Sequence, residues 1–249
     1  MTADLQGNVI LVTGGAQGIG AATAELCAAR GARVVIADHK ASGEARAAAI
    51  RDEGGCADFL QTDVRHEHEV QALIDFVRER HGGLDKVVCA AGVLPGPWLS
   101  PEEMPLEDFQ RALDVNITGV FLCAKYGAPL LEAGGRGVFV VIASGAGVFG
   151  PSSSLAYASG KGGANGLAMT LQERLAERNI RVNTIYPGNI ITEIKLSVDI
   201  ARARREGRPE QDAHDYAGEH YGMPEGVAKV IAFMLSDEAD YLRGGIRTR

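Results

Sequence analysis

Tyr157 and Lys161 stand four residues apart in a stretch that reads as a helix, so their side chains share a face. A free phenol has a pKa of about 10, too high for an efficient base at neutral pH. A lysine cation beside it favours the phenolate, and a serine hydroxyl at the same place can hold a substrate oxygen. Ser144 ends the apolar run before that helix and supplies the hydroxyl. Together the three residue types make an acid/base device suited to carbonyl–alcohol interconversion. Y-x-x-x-K alone describes many solvated helix faces, so its place between strand and helix gives the pair its meaning.

A second set of residues seats the partner such a reaction needs. Thr13-Gly14-Gly15-Ala16-Gln17-Gly18-Ile19-Gly20 lies between an apolar run and an alanine-rich helix. Glycines there let the backbone turn tightly and approach a pyrophosphate, while the helix aims its free N–H groups at the phosphates. The spacing is G-x-x-x-G-x-G. Asp38 ends the next apolar run, where a carboxylate meets adenosine ribose hydroxyls and repels a 2′-phosphate. NAD is therefore expected over NADP. Gln17 brings no positive charge to the loop, and His39 and Lys40 lie beside Asp38.

These residues need elements to hold them. Asn8 to Thr13, Ala32 to Asp38, Ala57 to Asp63, Leu84 to Ala90, Gly137 to Ser144 and Ile180 to Tyr186 read as strands. Gln17 to Arg30, Ser42 to Glu53, His66 to His81, Leu106 to Glu132 and Leu155 to Arg178 read as helices. The alternation predicts an α/β chain: one Rossmann domain over 1–249, a doubly wound parallel sheet flanked by helices. Gly92 to Pro105, with Pro95, Pro97, Pro101 and Pro105, reads as a loop. Gly188 to Gly222, polar and charged, reads as a substrate loop. Both follow strand ends, where open α/β sheets bind ligands. Trp98, Leu99, Phe149 and Tyr186 are candidate apolar walls. Arg202, Arg204, Arg205 and Arg208 could meet an acidic substrate, although a solvated helix face is the commoner use of such a run.

Composition narrows the function classes. The chain has 249 residues, 46% of them apolar, and 25 Lys+Arg against 32 Asp+Glu give a charge of −7. That excludes a disordered chain and argues against a non-specific nucleic-acid binder. No apolar run is longer than Val138 to Ala143, far below the ~18 residues of a membrane span. Met1 to Gly7 carries no signal-peptide pattern, so a cytoplasmic protein is expected. Cys27, Cys56, Cys89 and Cys123 form no C-x-x-C pair and are expected as buried thiols. His66 and His68, two apart, share no helix face, and no metal site is expected.

In this order the motifs resemble the short-chain dehydrogenase/reductase family over nearly the whole chain. The matching residues are the run from Thr13, Asp38, Asp63-Val64, Ala90-Ala91-Gly92, Asn116, Ser144, Tyr157 to Lys161, Pro187-Gly188 and Thr192. The resemblance implies a tetrad of Asn116, Ser144, Tyr157 and Lys161, with Asn116 holding a relay water. It implies a cofactor site of Gly14, Gln17, Gly18, Ile19, Gly20, Asp38, Asp63, Val64, Ala90, Ala91 and Gly92. Tyr157, Lys161, Ile185, Pro187, Gly188, Ile190 and Thr192 would lie toward the nicotinamide. It also implies a small-molecule alcohol or ketone substrate and a homo-oligomer, a tetramer or a dimer. Three departures stand out. Cys89-Ala90 replace the usual asparagines, Gly162-Gly163 follow the lysine, and Ile246 to Arg249 is a poor final strand. The alternatives are a 3-oxoacyl thioester reductase of the same family and a non-catalytic nucleotide-binding redox sensor or scaffold. Asp38 argues against the first, and intact Ser144, Tyr157 and Lys161 against the second.

Overall fold

Strand β1 (Val9–Thr13) shows why the apolar runs are unbroken. Val9 and Leu11 join one hydrophobic cluster, Ile10 and Val12 another, and all four are buried. Alternate residues feed opposite faces, so a strand covered by helices on both sides has no solvent face to leave polar. Strand β5 (Gly137–Ile142) repeats the pattern, with Phe139 and Val141 on one face and Val138, Val140 and Ile142 on the other.

The computed structural model describes residues 4–248. The other strands are β2 (Arg33–Asp38), β3 (Cys56–Gln61), β4 (Lys86–Cys89), β6 (Ile180–Tyr186) and β7 (Gly244–Arg247). All pairings are parallel, in the order β3-β2-β1-β4-β5-β6-β7. Helices α1 (Gly18–Ala29) and α2 (Gly43–Asp52) cover one face together with α9 (Pro224–Leu235). Helices α3 (Glu67–His81), α5 (Gly119–Ala133) and α6 (Leu155–Ala176) cover the other. This is a Rossmann-type α/β fold. The strand order reverses between β1 and β4, the place where such sheets open a crevice for ligands.

Four expectations change. The helix read as continuous from Leu106 to Glu132 is α4 (Leu106–Leu113), a π turn (Asp114–Thr118) and α5. The π turn holds buried Asn116, and such turns recur at functional sites. Gly188 to Gly222 is mostly not a loop, for it folds as α7 (Glu193–Arg205) and α8 (Glu210–His220). Its charges are helix-surface pairs, Lys195–Asp199, Arg202–Glu206 and Arg208–Asp212, each four apart. Each of these helices fully buries only two small residues, so no apolar period announces them. Strand β7 does form. Asn183, almost fully buried, donates to the carbonyls of Leu242 and Gly244 and anchors the turn into it. Cys56 is exposed at the first residue of β3, which lies at the sheet edge, whereas Cys27, Cys89 and Cys123 are buried.

Candidate active site

A cavity of about 1370 Å³ lies beyond the carboxyl ends of the strands, larger than the ~300–1,000 Å³ of ordinary small-molecule sites. Every cofactor-site residue named above borders it except Ile185, which is buried in the core. Of the expected tetrad, Ser144, Tyr157 and Lys161 border it, and Asn116 sits behind the wall.

The glycine loop fits a dinucleotide. Gly14 has φ +68°, and a Cβ there would stand 2.5 Å from the Ala91 nitrogen, so only glycine lets β1 and β4 close the crevice floor. Helix α1 has no side-chain cap and no acidic residue in its first turn, which leaves its N–H groups free for an anion. At the end of β2, Asp38 is buried. One of its oxygens accepts from the Ala16 nitrogen at 3.1 Å, the other from the Lys40 nitrogen at 2.9 Å. The loop and the carboxylate are thereby fixed to each other. Asp63 and Val64 border the same end, and Arg65 clamps the Asp63 carboxylate and holds its pKa below the usual range.

Gln17 brings no charge of its own to the loop, but it holds one from the residue two beyond Asp38. The Lys40 ammonium donates to its Oε1 at 2.7 Å and to Glu193 at 3.0 Å. Lys40 therefore ties the glycine loop to the start of α7.

The candidate chemistry lies at the centre. Strand β5 stops at Ile142, and Ser144 stands two residues beyond it with its Oγ accepting from the Ala146 nitrogen at 3.1 Å. Burial pushes the Tyr157 phenol up, and the Ser144 hydroxyl bonded to it works the other way. Lysine does not dominate here as the sequence led us to expect. The Lys161 ammonium lies 5.9 Å from the Tyr157 ring centre and donates to the Ile142 carbonyl at 2.6 Å. Burial lowers its own pKa to about 8.

Asn116 clamps the β4 loop. Its Oδ1 accepts from the Val93 nitrogen at 3.1 Å and its Nδ2 donates to the Val93 carbonyl at 3.0 Å. The glycines around Lys161 now have a reason. A Cβ on Gly160 would stand 2.9 Å from the Asn116 Cβ, and one on Gly163 would stand 2.4 Å from Ile117 Cδ1. Helix α6 thus packs against the π turn at a distance no larger residue permits.

Sequence reasoning missed Ser154. It is fully buried, caps α6 by accepting from the Tyr157 nitrogen at 3.2 Å, and donates to the Pro95 carbonyl at 2.6 Å. One hydroxyl thus joins the proline loop to the turn that carries Tyr157. Ser154→Ala is expected to cost about 1–2 kcal/mol in urea unfolding. A loss below about 0.3 kcal/mol would show that the cap does not hold this helix end.

Beyond Tyr157 the cavity is walled by Trp98, Lys195, Asp199, Arg202, Tyr216, Tyr221 and Arg247. The Lys195 ammonium bridges Asp199 and the Tyr221 hydroxyl. Arg202 lies over Trp98, whose indole nitrogen donates to the Val198 carbonyl at 3.3 Å. Of these walls Trp98 is already a candidate from the sequence, Lys195 to Tyr221 fall in the stretch that reads as a substrate loop, and Arg202 reads as solvated surface.

Among the described residues there is no cluster that could hold a metal ion, and no helix is long and apolar enough to cross a membrane.

The short-chain dehydrogenase family model matches residues 8–202. Cis-4-hydroxycyclohexanecarboxylate dehydrogenase of Sinomonas cyclohexanicum is 36% identical over 238 residues, 96% of this chain and 93% of that protein. A 2,5-dichloro-2,5-cyclohexadiene-1,4-diol dehydrogenase of Sphingobium indicum is 35% identical over 242 residues, 97% of this chain and 94% of that protein. The crystal structure of levodione reductase, 30% identical, superposes with a TM-score of 0.88 over 97% of this chain and 96% of that one. With the glycine loop, the crevice and the Ser144–Tyr157–Lys161 grouping in one frame, the chain belongs to the short-chain dehydrogenase/reductase family, oxidoreductases of alcohols and ketones.

Proposed function

We propose that the protein interconverts a secondary alcohol on a carbocyclic ring and its ketone, with NAD as the coenzyme and Tyr157 as the acid/base. The buried Asp38 carboxylate carries the coenzyme choice. It is fixed by two backbone N–H groups where the adenosine ribose would lie, and a 2′-phosphate brought there meets a charge that cannot swing away. The Lys40 ammonium is already shared between Gln17 and Glu193, and the neighbouring His39 ring nitrogen lies 3.2 Å from the Asp38 carboxylate itself. The ring follows from the names of the two relatives, a cyclohexanecarboxylate and a cyclohexadiene-diol.

When bound, the nicotinamide supplies the hydride acceptor or donor. The chain's own residues do the rest. Gly14, Gly18 and the bare start of α1 hold the pyrophosphate, and Asp38 takes the ribose hydroxyls. Asp63 and Val64 wall the adenine, and Pro187, Gly188, Ile190 and Thr192 wall the nicotinamide end. Ser144 donates to the substrate oxygen and keeps it beside the phenol. Tyr157 takes the hydroxyl proton in oxidation and returns it in reduction. Lys161 binds the nicotinamide ribose and places a cation under the phenolate. Asn116 holds the Val93 loop, and with it the cavity wall, in register with α6.

Coenzyme titration with a substrate panel tests this reading. NAD should bind at least about tenfold more tightly than NADP. Cyclohexanols should generate the absorbance of reduced nicotinamide when NAD is present. Equal or tighter NADP binding overturns the role of Asp38. Turnover confined to acyclic alcohols overturns the ring.

A further inference from the structure

The cations around the cavity are nearly all spent. Arg65 pairs with Asp63, Arg111 with Asp108, Lys195 with Asp199, and both Arg202 and Arg208 with Glu206. Arg208 also reaches Asp212. Arg247 is different. It borders the same cavity, is exposed, and has no ion pair or side-chain hydrogen bond among the described residues.

Its position is set by the fold. Arg247 ends β7 and pairs in register with Tyr186, immediately before the Pro187-Gly188 wall. Its guanidinium lies 5.6 Å from the ring centre of Phe149, which stands five residues after Ser144 and is 57% exposed. Phe149 in turn meets Tyr186 edge-on at 4.9 Å. A guanidinium laid on an aromatic ring keeps its planar fork oriented while its N–H edge stays unspent. The neighbouring Thr248 hydroxyl also borders the cavity and is buried without a partner among the described residues. Asp199 and Asp212, carboxylates on the substrate side, are already paired. Apart from the buried Lys161 at the catalytic centre, Arg247 is thus the cavity cation without a carboxylate partner among the described residues, and Phe149, outside the cavity lining, backs it.

We propose that Arg247 is a specificity residue that selects a ring alcohol bearing a carboxylate. The guanidinium binds the carboxylate through two parallel N–H bonds, and Phe149 behind it holds the plane of the fork. The inference rests on the ring-alcohol reading above. An alternative anion, a phosphate, would use the same fork but is larger and carries more charge.

The test separates binding from turnover. Cyclohexanecarboxylate has no hydroxyl to oxidise, and cyclohexanecarboxamide matches its shape without the charge. Calorimetry on the enzyme saturated with NAD should show the acid binding about 10- to 100-fold more tightly than the amide. Arg247→Met should erase that ratio, and Arg247→Lys, which keeps the charge but not the fork, should retain part of it. Cyclohexyl phosphate run beside the acid should bind more weakly. Equal binding of acid and amide to the wild-type enzyme overturns the proposal, as does an unchanged ratio in Arg247→Met. Tighter binding of the phosphate overturns the choice of carboxylate. If the ratio depends on Arg247 while no ring alcohol is oxidised, the anion site stands and the ring-alcohol reading fails.

Discussion

Tyr157→Phe is expected to lower kcat by about 10²- to 10⁴-fold while leaving the NAD dissociation constant within about twofold of wild type. The phenylalanine ring fills the same half-buried space, so neither helix α6 nor the glycine loop has cause to move. Only the hydroxyl is lost, and with it the group that bonds Ser144. Stopped-flow absorbance for the chemical step and calorimetry for NAD measure the two quantities separately. Turnover near the wild-type rate would remove Tyr157 from the role proposed for it.

Lys161→Met is expected to produce a more stable protein that does not turn over. Burial lowers the Lys161 pKa from 10.5 to about 8, a penalty of about 3 kcal/mol for holding the cation in the fold. Methionine removes that penalty and gives up the bond to the Ile142 carbonyl, about 1 kcal/mol. The net gain of about 2 kcal/mol corresponds to about 4–8 °C in Tm at pH 7. The pH dependence identifies the cause. Between about pH 8 and 10.5 the unfolded wild-type chain binds this proton and the folded chain does not, so wild-type stability climbs with pH across that window. The variant lacks the climb. Its advantage is full below pH 8, shrinks above it, and is gone or reversed near pH 10.5. Thermal melts at pH 7 and pH 10 read this directly, and a variant equally favoured at both values would refute the assignment.

The legible parts of this molecule are those written in short-range spacing. The glycine loop, the carboxylate after β2, and Tyr157 with Lys161 on one helical face are local patterns, and the β1 and β5 apolar runs are buried on both faces. Residues that act through long-range contacts left no such mark. Ser154 meets Pro95, 59 residues away, and Lys40 meets Glu193, 153 residues away. The π turn is missed because Asp114 to Thr118, five weak helix formers, reads through as part of one long helix, and its widened geometry is held by the Asn116 clamp on Val93. Helices α7 and α8 were read as loop because they bury little. Arg247 was assigned to a truncated strand, yet four residues suffice when Asn183 anchors the turn before them.

The close packing of α6 on the π turn also sets an order of events during folding. Gly160, Gly162, Gly163 and Gly166 fall within this one helix, each costing about 1 kcal/mol relative to alanine. A segment so poor in intrinsic helicity gains little by coiling alone, and most of its stability must come from the surface it meets. That surface is strand β6 with helix α4 and the π turn. Tyr157 and Lys161 thus come to share a face only after the sheet beneath them exists, so the half-folded chain carries the sequence of the catalytic pair without its chemistry.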